Sequence, residues 1–223
     1  MAPSSKIKDV ARIAGAVAVF LAGGFYCYAV WRGVNWAWVH GFRFYASELI
    51  TAEAVRDGVH CFFLAIAVFL FSRFAGLGAP SVRKAGWPLA GYGVLIALAV
   101  AAVAAVRIYP GFTNPFTGHG PFFFTLGPAA WEVMWPGVIY GFAVAAAGPE
   151  RGVTADRVLT VAGTLTSTAY YVPLFIGMRP YDKIAFVAVT LAMNFFSFNL
   201  RRRTGSVWMG MAGHLLVKFV LTW

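Results

Sequence analysis

The chain has 223 residues, of which 60% are hydrophobic and only 12% charged, with a mean hydropathy of +0.72. Soluble domains carry about a quarter charged residues, so this composition excludes an ordinary soluble domain and implies an integral membrane protein. The net charge of +10 does not imply nucleic acid, because the basic residues are spread over short connections and form no single stripe.

Apolar runs close to the ~20 residues that cross a bilayer core predict an all-α, polytopic transmembrane helix bundle. About seven spans form one domain over residues 1–223, preceded by a basic tail at 1–9. The first span covers residues 10–31. It is longer than the apolar core of a cleaved signal peptide, so an uncleaved helix is expected despite the small residues Ala22, Gly23 and Gly24. Residues 32–53 mix Trp36, Trp38, Phe42, Phe44 and Tyr45 with His40, Arg43 and Glu48, the composition of an interfacial segment. The second span, 54–74, opens on Arg56, Asp57 and His60, where an acid suits the positive end of the helix dipole. A short basic connection around Arg83 and Lys84 leads to the third span, 87–109, whose Ala/Val-rich middle suits close helix packing.

The fourth span, 121–148, contains Pro128, Glu132 and Pro136 and should bend. Pro136 supplies no amide hydrogen to the carbonyl of residue 132, so an unpaired acceptor sits beside the Glu132 carboxyl group. A polar connection, 148–157, precedes the fifth span, 158–178, which is rich in Thr and Ser and includes Tyr170, Tyr171 and Pro173. Its hydroxyls are expected to bond to their own backbone or to a neighbouring helix. The sixth and seventh spans cover 184–200 and 206–223. With the N-terminus inside, Lys6, Lys8, Arg12, Arg73, Arg83, Lys84, Arg151, Arg157 and Arg201 to Arg203 fall on one side, eleven in all, against six on the other. The excess predicts a cytoplasmic N-terminus and a C-terminus on the opposite side, and a bacterial inner membrane is the expected location.

The last helix carries the most informative pair. His214 and Lys218 lie four residues apart, on one face of an apolar helix. Ionisable groups are costly against hydrocarbon and are expected to face the bundle interior at a site. Cys27 and Cys61 read as small core hydrophobes, and no Cys/His spacing forms a metal site. No metal or cofactor is expected: zinc would need three or four converging ligands, and no nucleotide loop is present.

The segment Ala130-Trp131-Glu132-Val133-Met134-Trp135-Pro136-Gly137, the position of helix five, and the run Arg201-Arg202-Arg203-Thr204-Gly205-Ser206-Val207-Trp208 leading to His214 resemble the CAAX protease and bacteriocin-processing family of intramembrane endopeptidases. That family carries Glu-Glu-x-x-x-Arg on one helix, Phe-x-x-x-His on a second and His-x-x-x-Asn or a similar residue on the last. Here Trp131 replaces the first Glu and Pro136 the Arg, helix five has no His, and Lys218 stands in place of the terminal Asn.

The resemblance implies glutamate-based peptide hydrolysis, which needs a base for water and a polar group for the oxyanion. The loss of the first Glu, the Arg and the helix-five His implies instead a relative without protease activity, acting as a membrane scaffold or binding partner. Glu132 then pairs with His214 as a polar lock between helices four and seven. Counting about 1.5 Å per residue inward, Glu132 lies roughly 17 Å deep, His214 about 14 Å and Lys218 about 8 Å, so Lys218 is expected to reach outward to the interface. Two alternatives stand beside this reading. One is a peptidase with an altered site, with Glu132 and His214 catalytic and Tyr170, Tyr171 or Lys218 supporting. The other is an accessory subunit of a larger membrane complex. The expected partners are the lipid bilayer and a membrane protein or peptide.

Overall fold

A computed structural model describes residues 5–37, 62, 66, 70, 74, 76–108, 136–148, 152–169 and 180–222. Those residues contain no strand, and seven helices are bounded among them: α1 Ser5–Ala37, α2 Val82–Ala85, α3 Trp87–Ile108, α4 Pro136–Ala147, α5 Val153–Ala169, α6 Pro180–Thr204 and α7 Trp208–Thr222. The all-helical expectation holds for them. The seven helices are not the seven expected spans, however, because α2 has only four residues. Two stretches among the described residues, Trp87–Ala105 and Lys183–Thr204, are long and apolar enough to cross a membrane.

Several boundaries move, and in each case polarity had stood in for a helix breaker. The first helix does not stop at residue 31 but continues to Ala37, because no proline interrupts it. Residues 32–37, expected to begin an interfacial segment, are therefore helical, and 38–53 lie outside the described residues. The span expected at 54–74 is described at residues 62, 66, 70 and 74, all helical. The basic connection before α3 contains α2, which ends at Gly86, a residue at φ 59°. Helix α5 begins at Val153 rather than 158, since Thr154, Asp156 and Arg157 are polar without being helix breakers. Asp156 lies in its first turn, where the helix dipole favours an acid. Helix α6 begins at Pro180, a residue suited to a first helical position. It runs through Arg201, Arg202 and Arg203 before Gly205, at φ 73°, ends it. The arginines expected in a connection thus form its last turn.

Helix α6 is the hub. One of its sides joins α2, α3 and α7 in a core of Ala85, Tyr92, Ala99, Phe186, Met193, Leu200, Val217 and Leu221. The other side contributes Phe198 to a second core with Ala16 and Phe20 of α1, Ile139, Tyr140 and Ala143 of α4, and Leu159 of α5. In that second core the Phe198 ring meets Phe20 edge-on at 6.0 Å and Tyr140 at 5.6 Å. Thr190, Asn194, Ser197 and Arg201 recur at intervals of four, three and four, a single stripe along α6.

Helix α3 is the opposite case. It is apolar all round, yet only 22% of its Trp87–Ala105 stretch is buried, and Val94 and Leu98 are each 61% exposed. A helix that is apolar on every face normally lies in a protein core or in lipid.

Candidate functional site

The polar centre of the described residues lies where α3, α6 and α7 meet. Tyr92 comes from α3, Ser197 from α6 and His214 from α7, and both Tyr92 and His214 are fully buried. Small residues make the approach possible. Gly210 and Gly213 are three apart on α7, and a Cβ at Gly213 would lie 2.7 Å from the Tyr92 ring, while one at Gly210 would lie 2.9 Å from Ser197 Oγ. The α7 backbone therefore rests against these two side chains, as small residues allow in close helix contacts.

The Tyr92 hydroxyl is the node. It donates to the Met193 carbonyl at 2.8 Å and lies 2.6 Å from Ser197 Oγ and 2.9 Å from His214 Nδ1. Ser197 Oγ is itself 3.1 Å from the same ring nitrogen. Proton counting favours one arrangement. A hydroxyl has one hydrogen, and the Met193 carbonyl can only accept, so Tyr92 best spends its hydrogen there. Tyr92 Oη then accepts from Ser197 and from His214 Nδ1–H, which leaves Nε2 of the imidazole with a lone pair. Nε2 is buried and has no hydrogen-bond partner among the described residues. Such an atom typically costs about 1–3 kcal/mol when left unsatisfied.

Of the residues expected at the site, His214 and Lys218 are both buried on α7. Lys218 is 6% exposed, which corrects the expectation that it reaches outward to the interface. The stem follows the same inward face as His214, one helical turn away. Glu132, Tyr170 and Tyr171 lie outside the described residues. Tyr92 and Ser197 escaped the sequence reading. Tyr92 carried a signal, a hydroxyl-bearing ring between Gly91 and Gly93 in the apolar stretch from Pro88 to Val106. Ser197 carried another, its place in the Thr190, Asn194, Ser197, Arg201 stripe.

Beside Ser197, a crevice bordered by Pro136 and Gly137 of α4, Asn194 and Arg201 of α6, and Val207 has about 10 Å³ of space, room for about one water molecule. Ligand pockets are commonly of the order of 300 Å³ or more. No group of three or more His, Cys, Asp or Glu side chains converges among the described residues.

A second polar region joins α5 to α6. Thr160, Thr164 and Thr168 form a buried row, and each hydroxyl donates to the carbonyl four residues earlier, at 2.8, 2.7 and 2.8 Å. Asn194 Nδ2 donates to Thr168 Oγ1 at 3.1 Å and so ties the row to α6. These threonine hydroxyls thus bond to their own backbone and, at Thr168, to a neighbouring helix, as expected. Comparison of the chain with protein-family models, curated proteins and solved structures found no match.

Proposed function

We propose that this chain is a polytopic membrane protein, a divergent relative of the CAAX protease and bacteriocin-processing family. In this reading the inherited site serves as a polar lock within a membrane scaffold or binding protein and not as a hydrolase centre. The observation that carries it is His214, whose Nδ1 is held by two hydroxyls from two other helices in a buried cluster. The bonds from Tyr92 tie α3 to helices more than a hundred residues away, and the one between Ser197 and His214 ties α6 to α7, which suits a clasp. Trp131 in place of an acid removes the residue that would take a proton from water.

Membrane residence is supported by the exposed apolar surface of α3, which is unfavourable in water and at home against lipid tails. The length of the apolar runs supports seven spans and the loop charges support a cytoplasmic N-terminus, with a bacterial inner membrane as the proposed location. Glu132 is the proposed partner of His214 Nε2. A carboxyl group can offer either a donor or an acceptor and so satisfies the ring in either tautomer.

The second reading, a peptidase with an altered site, draws on the same nitrogen. A lone pair on Nε2 is the feature a general base requires. One experiment separates the two. Purified protein is incubated with a peptide library, alongside Glu132→Gln and His214→Ala. The lock predicts no cleavage by any form and lower stability of both variants. Cleavage by the wild type that both substitutions abolish would establish the peptidase.

A further inference from the structure

The ends of α6 and α3 meet α2 and the start of α7 in a patch that the polar lock does not use. Residues 73–87 and 201–208 together hold Arg73, Arg83, Lys84, Arg201, Arg202 and Arg203, and no Asp or Glu. The described parts of these segments are fastened to one another. Arg201 donates to the Phe74 carbonyl at 2.9 Å, the Val207 amide to the Gly76 carbonyl at 2.9 Å, and Trp208 Nε1 to the Leu77 carbonyl at 2.9 Å. Gly76 is at φ 72°, and a Cβ there would overlap the Arg201 guanidinium, so this glycine admits the arginine. Arg203 lies over the Trp87 ring at 5.8 Å, with Gly86 directly beside it. Arg83, Lys84 and Arg203 remain exposed on this platform, while Ala85 anchors α2 in the core.

An exposed apolar face lies just below the charges. Trp87, Val94 and Leu98 recur at intervals of seven and four on α3, which places them along one face. All three are exposed. Phe195 and Phe196 of α6 border the top of this face, with ring centroids 5.7 and 6.2 Å from that of Trp87. A cluster of cations therefore sits at the head of an exposed apolar track. An acidic peptide or a nucleic acid would use the charges and leave the track uncovered. A molecule with a phosphate at one end and hydrocarbon at the other covers both.

We infer that this end of the bundle binds an anionic phospholipid, its headgroup phosphate held by Arg83, Lys84 and Arg203 and an acyl chain lying along Trp87, Val94 and Leu98. The site rests on the membrane reading of the chain but not on the fate of the polar lock. Clusters of four to eight basic residues beside a membrane span attract anionic headgroups.

The test uses the full chain in neutral detergent. Its thermal unfolding is followed while phosphatidylglycerol, phosphatidylcholine or inorganic phosphate is added. Phosphatidylglycerol should raise the unfolding temperature at concentrations where the other two do not, and 0.5 M salt, roughly five times the ionic strength at which the screening length is about 10 Å, should weaken the effect. Each of Arg83→Gln, Lys84→Gln and Arg203→Gln should lower the apparent affinity for phosphatidylglycerol roughly fivefold, with the triple change lowering it on the order of a hundredfold. Because the Lys84 side chain is exposed, Lys84→Gln tests the site even if the triple variant does not fold. An equal response to the two lipids, an equal response to phosphate, or unchanged affinity in the folded variants would overturn the inference. An alkaline wash of cell membranes addresses the underlying reading separately: release of the chain would refute membrane integration, whereas retention without lipid preference would refute the lipid site alone.

Discussion

The two buried polar regions use similar residue types in different ways. Along α5, Thr160, Thr164 and Thr168 are satisfied within their own helix, and only Asn194 reaches across. At the α3, α6 and α7 junction, Tyr92, Ser197 and His214 Nδ1 hydrogen-bond to one another, across separations of 105 and 122 residues from Tyr92. A local hydrogen bond accompanies its helix wherever that helix goes. A bond between helices fixes where one helix lies against another. The junction should therefore be sensitive to small changes, and the threonine row tolerant of them.

The largest effect is expected where packing and hydrogen bonding coincide. In Gly213→Ala the new methyl would sit 2.7 Å from a fully buried tyrosine ring. Either α7 or Tyr92 must move, and the hydrogen bonds at the ring's hydroxyl move with it. Overpacking of this kind typically costs about 1–3 kcal/mol, and the disturbed hydroxyl places this variant toward the upper end. Unfolding by denaturing detergent should show a clear loss. A variant as stable as the wild type would mean that the three helices are not held by this contact.

A smaller effect is expected from Tyr92→Phe, which keeps the ring in the core and removes only the node. The Met193 carbonyl keeps its place in the α6 backbone ladder, and Ser197 still lies 3.1 Å from His214 Nδ1. The expected cost is about 1–2 kcal/mol, the usual range for losing a buried hydrogen bond with partners left behind. Combining this change with Ser197→Ala sharpens the comparison. The two losses should not add, because both side chains meet the same imidazole nitrogen. Strict additivity in the denaturation series would count against a shared network.

The same contrast explains what could be read from the sequence. The apolar runs signalled helices in the right order, and His214 with Lys218 signalled an inward face, because both patterns are local. Boundaries were less legible. Thr154 to Arg157 and Arg201 to Arg203 are polar, but polarity does not stop a helix; Gly205 does, through its positive φ. The partners of His214 were hidden for another reason. Nothing within one helix tells that Tyr92 will meet residues more than a hundred positions away, since that depends on how α3, α6 and α7 pack. Gly210 and Gly213 were the nearest clue, two small residues on the helix that carries the histidine. They imply close approach without naming the neighbour.

The smallest effect is expected at Thr164→Val, and it tests the other side of the comparison. Thr164 Oγ1 donates to the Thr160 carbonyl at 2.7 Å, but helical geometry already supplies that carbonyl with the amide of residue 164. Valine has nearly the same shape as threonine and its preferred rotamer fits a helix. The substitution removes the donor itself, so no unsatisfied group remains on either side. Hydrogen bonds between side chains within membrane proteins average only about 0.6 kcal/mol, and this one makes no tie to a second helix. The expected change is within about 0.5 kcal/mol by the same denaturation measurement. A loss comparable to that of Tyr92→Phe would erase the distinction between the two regions and make the threonine row a second clasp, acting through its link to Asn194.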